Sequence, residues 1–266
     1  MLGAIFGDIV GSRYEFRNTK SKNFELFANG CHFTDDSVMT LAVAKALLQH
    51  DRTEDLNVFK DILITTMHAL GGAYPYAGYG GKFFWWLLKK SREPYQSFGN
   101  GSAMRVSPVA WYANSLEETI ALAEASAEIT HNHPDGIKGA VVAAGATYLA
   151  RTGATKEEIG NFVASYYPIN FTLDEIRPTY TFDVSCQGSV PQAMKAFLES
   201  VSFEDTIRGA VSIGGDSDTI AAIAGAVAEA FYGMTDEEKS KANSYLTEPL
   251  KEIIFDFEQK YQSKKS

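Results

Sequence analysis

Apolar residues recur at helical spacing through most of the chain. The stretches Leu41–Leu48, Ile120–Ile129, Ile137–Leu149, Ile220–Phe231 and Leu250–Phe257 are rich in alanine and leucine and place apolar side chains three or four positions apart. Alternation of period two is nearly absent. Between the apolar stretches fall helix-start signals: Ser115-Leu-Glu-Glu118, Thr155-Lys-Glu-Glu158, Thr172-Leu-Asp-Glu175 and Thr235-Asp-Glu-Glu238 all fit the capping box, in which a hydroxyl and a carboxylate satisfy the orphan amides of a first turn. Pro191, soon after Ser189, fits the opening turn of another helix. The pattern predicts an all-α fold of about ten helices with short connections. The helices over 34–48, 120–129 and 220–231 are expected to be buried on most sides. The glycine-rich stretch 71–81 and the region 91–103 are too short for linkers and read as loops within one domain, 1–261. The polar, lysine-rich residues 262–266 are expected to fray.

Composition narrows the class. The 266 residues are 45% hydrophobic and 21% charged, with net charge −9, which excludes general disorder. The two cysteines, Cys31 and Cys186, exclude a disulfide scaffold; with no CxxC spacing they read as reduced thiols rather than a redox or metal pair. No apolar run approaches the ~18 residues of a membrane span. The early Asp8 and the missing basic leader argue against a signal peptide, so a cytoplasmic protein without membrane association is expected. The acidic balance argues against general nucleic-acid binding but permits a small local phosphate site.

Two helix starts carry the chemistry. Phe33-Thr34-Asp35-Asp36-Ser37 precedes the apolar helix Val38–Leu48, and Thr34 can cap it while the aspartates complement its dipole. Gly214-Gly215-Asp216-Ser217-Asp218-Thr219 precedes the helix Ile220–Phe231. Each supplies two carboxylates and a hydroxyl, more than a cap requires. Residues i and i+2 of one helix diverge by about 200°, so Asp216 and Asp218 converge only if Asp216 sits on the loop, a bend its two preceding glycines permit. If the two starts meet, four carboxylates share one place, and a pair of charges ~5 Å apart repels by ~3 kcal/mol at an effective dielectric of ~20. An oxygen-only set suits Mg²⁺, Mn²⁺ or Ca²⁺ rather than Zn²⁺, and two ions bridged by a shared carboxylate would resolve the repulsion.

Near the N-terminus, Gly3, Gly7 and Gly11 are spaced i, i+4, i+8 and leave a smooth face for a close helical neighbour. Asp8, Ser12 and Glu15 share another face. Asp8 reads as an exposed polar residue, whereas Glu15 at the helix end, where the dipole disfavours a carboxylate, invites a cation. Ser97-Phe98-Gly99-Asn100-Gly101-Ser102-Ala103-Met104-Arg105 reads as a turn with an N-cap or as a nest of amides for a phosphate or diphosphate, with Phe98 available to stack. Thr130-His131-Asn132-His133 ends one helix and precedes the next. Tyr79-Gly80-Gly81 is a turn that could flank a cleft.

In this order the segments resemble the ADP-ribosylglycohydrolase family, from Gly3 through Gly233: Gly7-Asp-Ile-Val-Gly-Ser-Arg-Tyr-Glu15, Thr34-Asp35-Asp36, Gly99-Asn-Gly-Ser-Ala-Met-Arg105, Thr130-His131 and Gly214-Gly-Asp-Ser-Asp-Thr219. The resemblance implies an orthogonal all-α bundle around a central site for two Mg²⁺, with Mn²⁺ as an alternative. Thr34, Asp35 and Asp36 would face Asp216, Asp218 and Thr219 as metal ligands. Glu15, Asp35 and Asp36 would be catalytic. Ser97, Phe98, Gly99, Asn100, Gly101, Ser102, Met104 and His131 would bind ADP-ribose. It implies a monomeric, metal-dependent hydrolase acting on an ADP-ribosylated protein, nucleic acid or small molecule. A non-catalytic ADP-ribose-binding module is the alternative, and a structural protein gains nothing obvious from clustered carboxylates.

Overall fold

The computed structural model describes residues 1–262, so the tail expected to fray lies outside the described residues apart from Gln262. The helices are α1 Leu2–Ser12, α2 Asp35–Gln49, α3 Leu56–Ala73, α4 Gly81–Leu88, α5 Gly101–Met104, α6 Ser107–Tyr112, α7 Leu116–Glu128, α8 Pro134–Arg151, α9 Lys156–Ala164, α10 Leu173–Ile176, α11 Cys186–Glu199, α12 Phe203–Ser212, α13 Ser217–Tyr232, α14 Asp236–Asn243 and α15 Glu248–Phe257. One isolated bridge, Gly99 with Ser185, is the nearest approach to a sheet among the described residues. The excess over the expected ten comes from short segments such as α5, α6 and α10, too brief to show a period. No helix is long and apolar enough to cross a membrane.

The helix starts follow local chemistry. Thr155, Thr172 and Thr235 each close a full capping box with Glu158, Glu175 and Glu238. At Ser115 half the box forms: Ser115 accepts from the Glu118 amide, but Glu118 turns its carboxylate to the Asn114 amide at 2.6 Å and to Arg52 at 3.2 Å. Pro191 does not open a helix. It lies inside α11, which starts at Cys186 with Ser185 as its cap. The burial expected of the 120–129 helix is found: over that stretch Glu124 alone is exposed, and the 34–48 and 220–231 helices are likewise buried.

Packing then positions the termini. α13 runs through the centre, against α1, α8, α11 and α12, and is buried from Ser217 to Ala230. Its closest neighbour is the glycine face of α1. A methyl group on Gly7 would lie 2.1 Å from the Ala221 carbonyl oxygen, and one on Gly11 would lie 2.4 Å from the Asp218 Cα. The backbones touch where no side chain intervenes, so the seam sets the N-terminus of α13 beside the C-terminal end of α1. Cys31 and Cys186 are free and buried.

Candidate active site

The start of α2 is braced from α1. Thr34 caps the helix by accepting from the Asp36 amide at 3.3 Å, and its hydroxyl donates to Asp8 at 2.7 Å. Asp8 is fully buried and also accepts from the amides of Thr34 at 2.9 Å and Ser37 at 3.0 Å and from the Ser37 hydroxyl. The exposed polar face expected for Asp8 is therefore wrong: it caps a neighbouring helix, a partner that spacing along α1 cannot reveal. Nor does Glu15 share a helical face with it, because α1 stops at Ser12.

The start of α13 is held away from ideal capping geometry. Gly214 and Gly215 both take positive φ, +73° and +76°, and a side chain on Gly215 would meet the Tyr180 ring at 2.4 Å. Asn18 clamps the turn, accepting from the Gly215 amide at 2.9 Å and donating to its carbonyl at 3.1 Å. Asp216 occupies the cap position without bonding the helix; its carboxylate accepts from the Asn100 amide group at 2.7 Å instead. The loop placement lets Asp216 and Asp218 converge.

The two starts meet: the Thr219 hydroxyl donates to Asp36 Oδ2 at 3.1 Å. Glu15, carried past the end of α1, brings a carboxylate oxygen to within 4.8 Å of oxygens from Asp216 and Asp218. The other oxygen of Asp36, Oδ1, is buried with no hydrogen-bond partner. Burial, reinforced by Asp216 and Asp8, pushes Glu15 up to about 7. Burial, then Asp8 and Asp216, pushes Asp35 up to about 8. Asp36 and Asp218 rise well above the carboxylate range for the same reasons, and Asp216 rises chiefly through burial. Protons are one way to neutralise such a cluster and hard cations are another. The all-oxygen donor set and the orphaned Asp36 oxygen fit a divalent cation.

This cluster lies in a cleft of about 500 Å³, a size typical of small-ligand sites. Thr34, Asp35, Asp36, Asp216, Asp218 and Thr219 all line it with Glu15. Of the loop residues, Ser97, Gly99, Asn100, Gly101, Met104 and His131 line it too. Phe98 and Ser102 do not. Phe98 turns its ring toward His133, at 5.4 Å, and Ser102 is fully buried, donating to the Gly136 carbonyl at 2.6 Å. The amide nest is also partly spent: the Gly99 amide donates to Ser97 Oγ at 3.2 Å, and the Asn100 amide to the Val184 carbonyl at 2.7 Å. Asn100 is occupied with Asp216 and, at 3.0 Å, with Ser189.

Several lining residues escaped the sequence. Phe16 and Phe182, from separate loops, stack at the cleft with centroids 6.1 Å apart, and Tyr95 and Lys82 contribute further along. No motif marks Phe182. The Tyr79-Gly80-Gly81 turn did carry a signal: Gly80 and Gly81 line the cleft, and the buried Tyr79 phenol is raised by burial and by Asp35.

With this geometry in view, the matches to known proteins are consistent. Residues 1–236 match the profile of the ADP-ribosylglycohydrolase family. The chain belongs to the ADP-ribosylglycohydrolase family. Membership marks it as an enzyme of ADP-ribosyl hydrolysis. It is 27% identical to ADP-ribosylhydrolase ARH3 of Mus musculus, over 90% of this chain and 84% of that one, and 26% identical to the Homo sapiens protein of the same name, over 90% and 86%. It is 25% identical to ADP-ribosylarginine hydrolase Tri1 of Pseudomonas putida, over 88% and 70%. A solved structure described as an ADP-ribosylglycohydrolase-related protein complex superposes with TM-score 0.62 at 23% identity, covering 97% of this chain and 96% of that one, which establishes the shared all-α fold.

Proposed function

We propose that the protein is a Mg²⁺-dependent hydrolase that cleaves the glycosidic bond between ADP-ribose and an acceptor, reversing ADP-ribosylation. The observation that carries this reading is the convergence of Glu15, Asp216 and Asp218 within 4.8 Å, tied to Asp36 through Thr219, in a cleft walled by the Ser97–Met104 loop and His131. Thr34, Asp35, Asp36, Asp216, Asp218 and Thr219 are the residues that would hold two cations, Mn²⁺ being the alternative. Bound there, the cations supply Lewis acidity and the positive charge that the clustered carboxylates lack.

The chain's own residues do the rest. Cleavage at the anomeric carbon develops oxocarbenium character, which the surrounding carboxylates stabilise. Glu15, half-buried with a carboxylate oxygen within 4.8 Å of oxygens from Asp216 and Asp218, is placed to accept a proton from the attacking water. Ser97, Gly99, Gly101, Met104 and His131 position the ADP-ribosyl group along the cleft. The relatives named for ADP-ribosylarginine hydrolysis and for ARH3 bracket the acceptors to be tried.

The test is release of ADP-ribose from serine-, arginine- and nucleic-acid-linked substrates with Mg²⁺, by wild type and by Asp36→Ala. Release by wild type alone supports the reading. Binding of ADP-ribose without release from any substrate would favour a non-catalytic ADP-ribose-binding module.

A further inference from the structure

Arg105 is a buried guanidinium, 1% exposed, with no carboxylate within ion-pair distance among the described residues. It follows directly on α5 and lines the cleft. Its Nη2 donates to the Ser126 carbonyl at 2.9 Å and to Thr130 Oγ1 at 2.8 Å. Thr130 is itself fully buried, and its Oγ1 lies 2.8 Å from His131 Nδ1.

The proton count along this chain has one good solution. A guanidinium donates and cannot accept, so Thr130 Oγ1 is an acceptor toward Arg105. The Thr130 hydroxyl then has one proton left, and the neighbouring acceptor available to it is His131 Nδ1. If His131 carried its proton on Nδ1, two donors would converge on one hydroxyl and the Thr130 proton would be left without an acceptor among the described residues. Nδ1 is therefore unprotonated, and the imidazole proton sits on Nε2. That nitrogen makes no hydrogen bond within the described residues and faces the cleft across the glycine loop. A side chain on Gly101 would come within 3.1 Å of it, and one on Gly99 within 3.6 Å.

We propose that Arg105 and Thr130 are positioning residues that lock His131 in its neutral Nε2–H tautomer, giving the cleft a fixed N–H donor for an anionic oxygen of the ligand. The groups facing His131 agree with a neutral ring. Burial and then the Arg105 charge hold it well below the usual imidazole range, and the Tyr95 ring lies beside it with centroids 6.0 Å apart. A histidinium would set a second buried cation beside Arg105. A tyrosine or lysine in place of His131 could not reproduce this device: an orientation imposed through a hydroxyl needs a ring with two distinct nitrogens.

The ligand part of this proposal rests on the ADP-ribosyl reading, whereas the tautomer does not. The first measurement is therefore nitrogen-15 NMR of the His131 ring in the ligand-free protein. Wild type and Thr130→Ser should show an unprotonated Nδ1 and a protonated Nε2, unchanged down to about pH 5.5, well under the pKa of about 6.5 of a free imidazole. Thr130→Val, which keeps the shape and removes the hydroxyl, should show both tautomers. An Nδ1–H ring in wild type, or a ring that titrates like a free imidazole, overturns the proposal. The second measurement is calorimetry with ADP-ribose and adenosine. Thr130→Val should weaken ADP-ribose by about tenfold or more, as for a lost hydrogen bond to a charged group. Thr130→Ser should restore it, and adenosine should be indifferent to either change. Equal weakening of adenosine would mean a structural role and overturn the donor assignment. Failure of wild type to bind ADP-ribose would count against the functional reading and the assigned ligand, while the NMR result still decides the tautomer.

Discussion

The starts of α2 and α13 look alike in sequence and are built in opposite ways. At α2, Thr34 caps the helix, Asp8 braces it from α1, and the first turn is ordinary. At α13 the cap position is held by Asp216, which bonds Asn100 rather than its own helix, after two glycines at positive φ. The first start keeps an ordinary local cap, to which Asp8 adds its brace, and offers its carboxylates from a regular first turn. The second is bent away from local preference and held by Asn18, Tyr180 and Asn100. The difference teaches that one half of the cluster is a rigid platform and the other is placed against it by tertiary contacts.

Changes at the two halves sharpen this comparison, and the largest effect expected is on turnover. Asp36→Ala and Asp218→Ala should each remove more activity than the roughly 10²–10⁴-fold of a lost general base, because each deletes a cation-holding carboxylate. A nearly full rate in either variant would mean that the two starts do not serve one site. Glu15→Gln comes next: kcat should fall by ~10²–10⁴-fold with ADP-ribose and Mg²⁺ binding retained in calorimetry.

Stability effects are smaller. Saturating Mg²⁺ at about 100 times its Kd should add about 2.7 kcal/mol for each ion held, seen as a higher Tm that a chelator abolishes. Asp218→Asn should blunt that response, and an unchanged wild-type melting curve would remove the cation site from the account. Gly215→Ala should cost more than Thr34→Ser in urea unfolding. The first imposes a positive-φ penalty of ~1–3 kcal/mol and a clash with Tyr180, while the second keeps the hydroxyl that caps α2 and donates to Asp8. The reverse order would place the strain at the other helix.

The pH response is read by its sign. Unfolded carboxylates titrate near about 4, whereas Glu15 titrates at about 7 and Asp35 at about 8 in the folded cluster. Between these limits the folded chain holds protons that the unfolded chain has released. The metal-free protein should therefore lose stability as pH rises from about 4 to about 8. Stabilisation by Mg²⁺ should grow over the same interval, since cation and protons compete for the same oxygens. Unfolding curves at several pH values, with and without Mg²⁺, check both slopes.

Much of the fold was legible because its signals are local. The apolar spacing marks α2, α8, α13 and α15, and Thr155, Thr172 and Thr235 mark helix starts to the residue. Where the signal misled, another partner had intervened: Glu118 left its box for the nearby Asn114 amide and the distant Arg52, and α11 began before Pro191 because Ser185 caps it. The candidate site was legible at Asp35, Asp36, Asp216 and Asp218, whose charge exceeds what caps need. Phe98 and Ser102 fall outside the cleft lining because Phe98 packs on His133 and Ser102 bonds the Gly136 carbonyl, partners that the order of residues in a loop does not reveal.

The sequence by itself determined the all-α class, the glycine face of α1 and the two acidic helix starts, since each depends on spacing within a few residues. Tertiary structure alone decided that Asp8 is buried as a cap, that Glu15 joins Asp216 and Asp218, and that Asn100 turns to Asp216. The reason is physical: a carboxylate's neighbours, and hence its charge, are set by residues brought within a few ångströms by helix packing. The α1–α13 seam, where backbone meets backbone, supplies that packing.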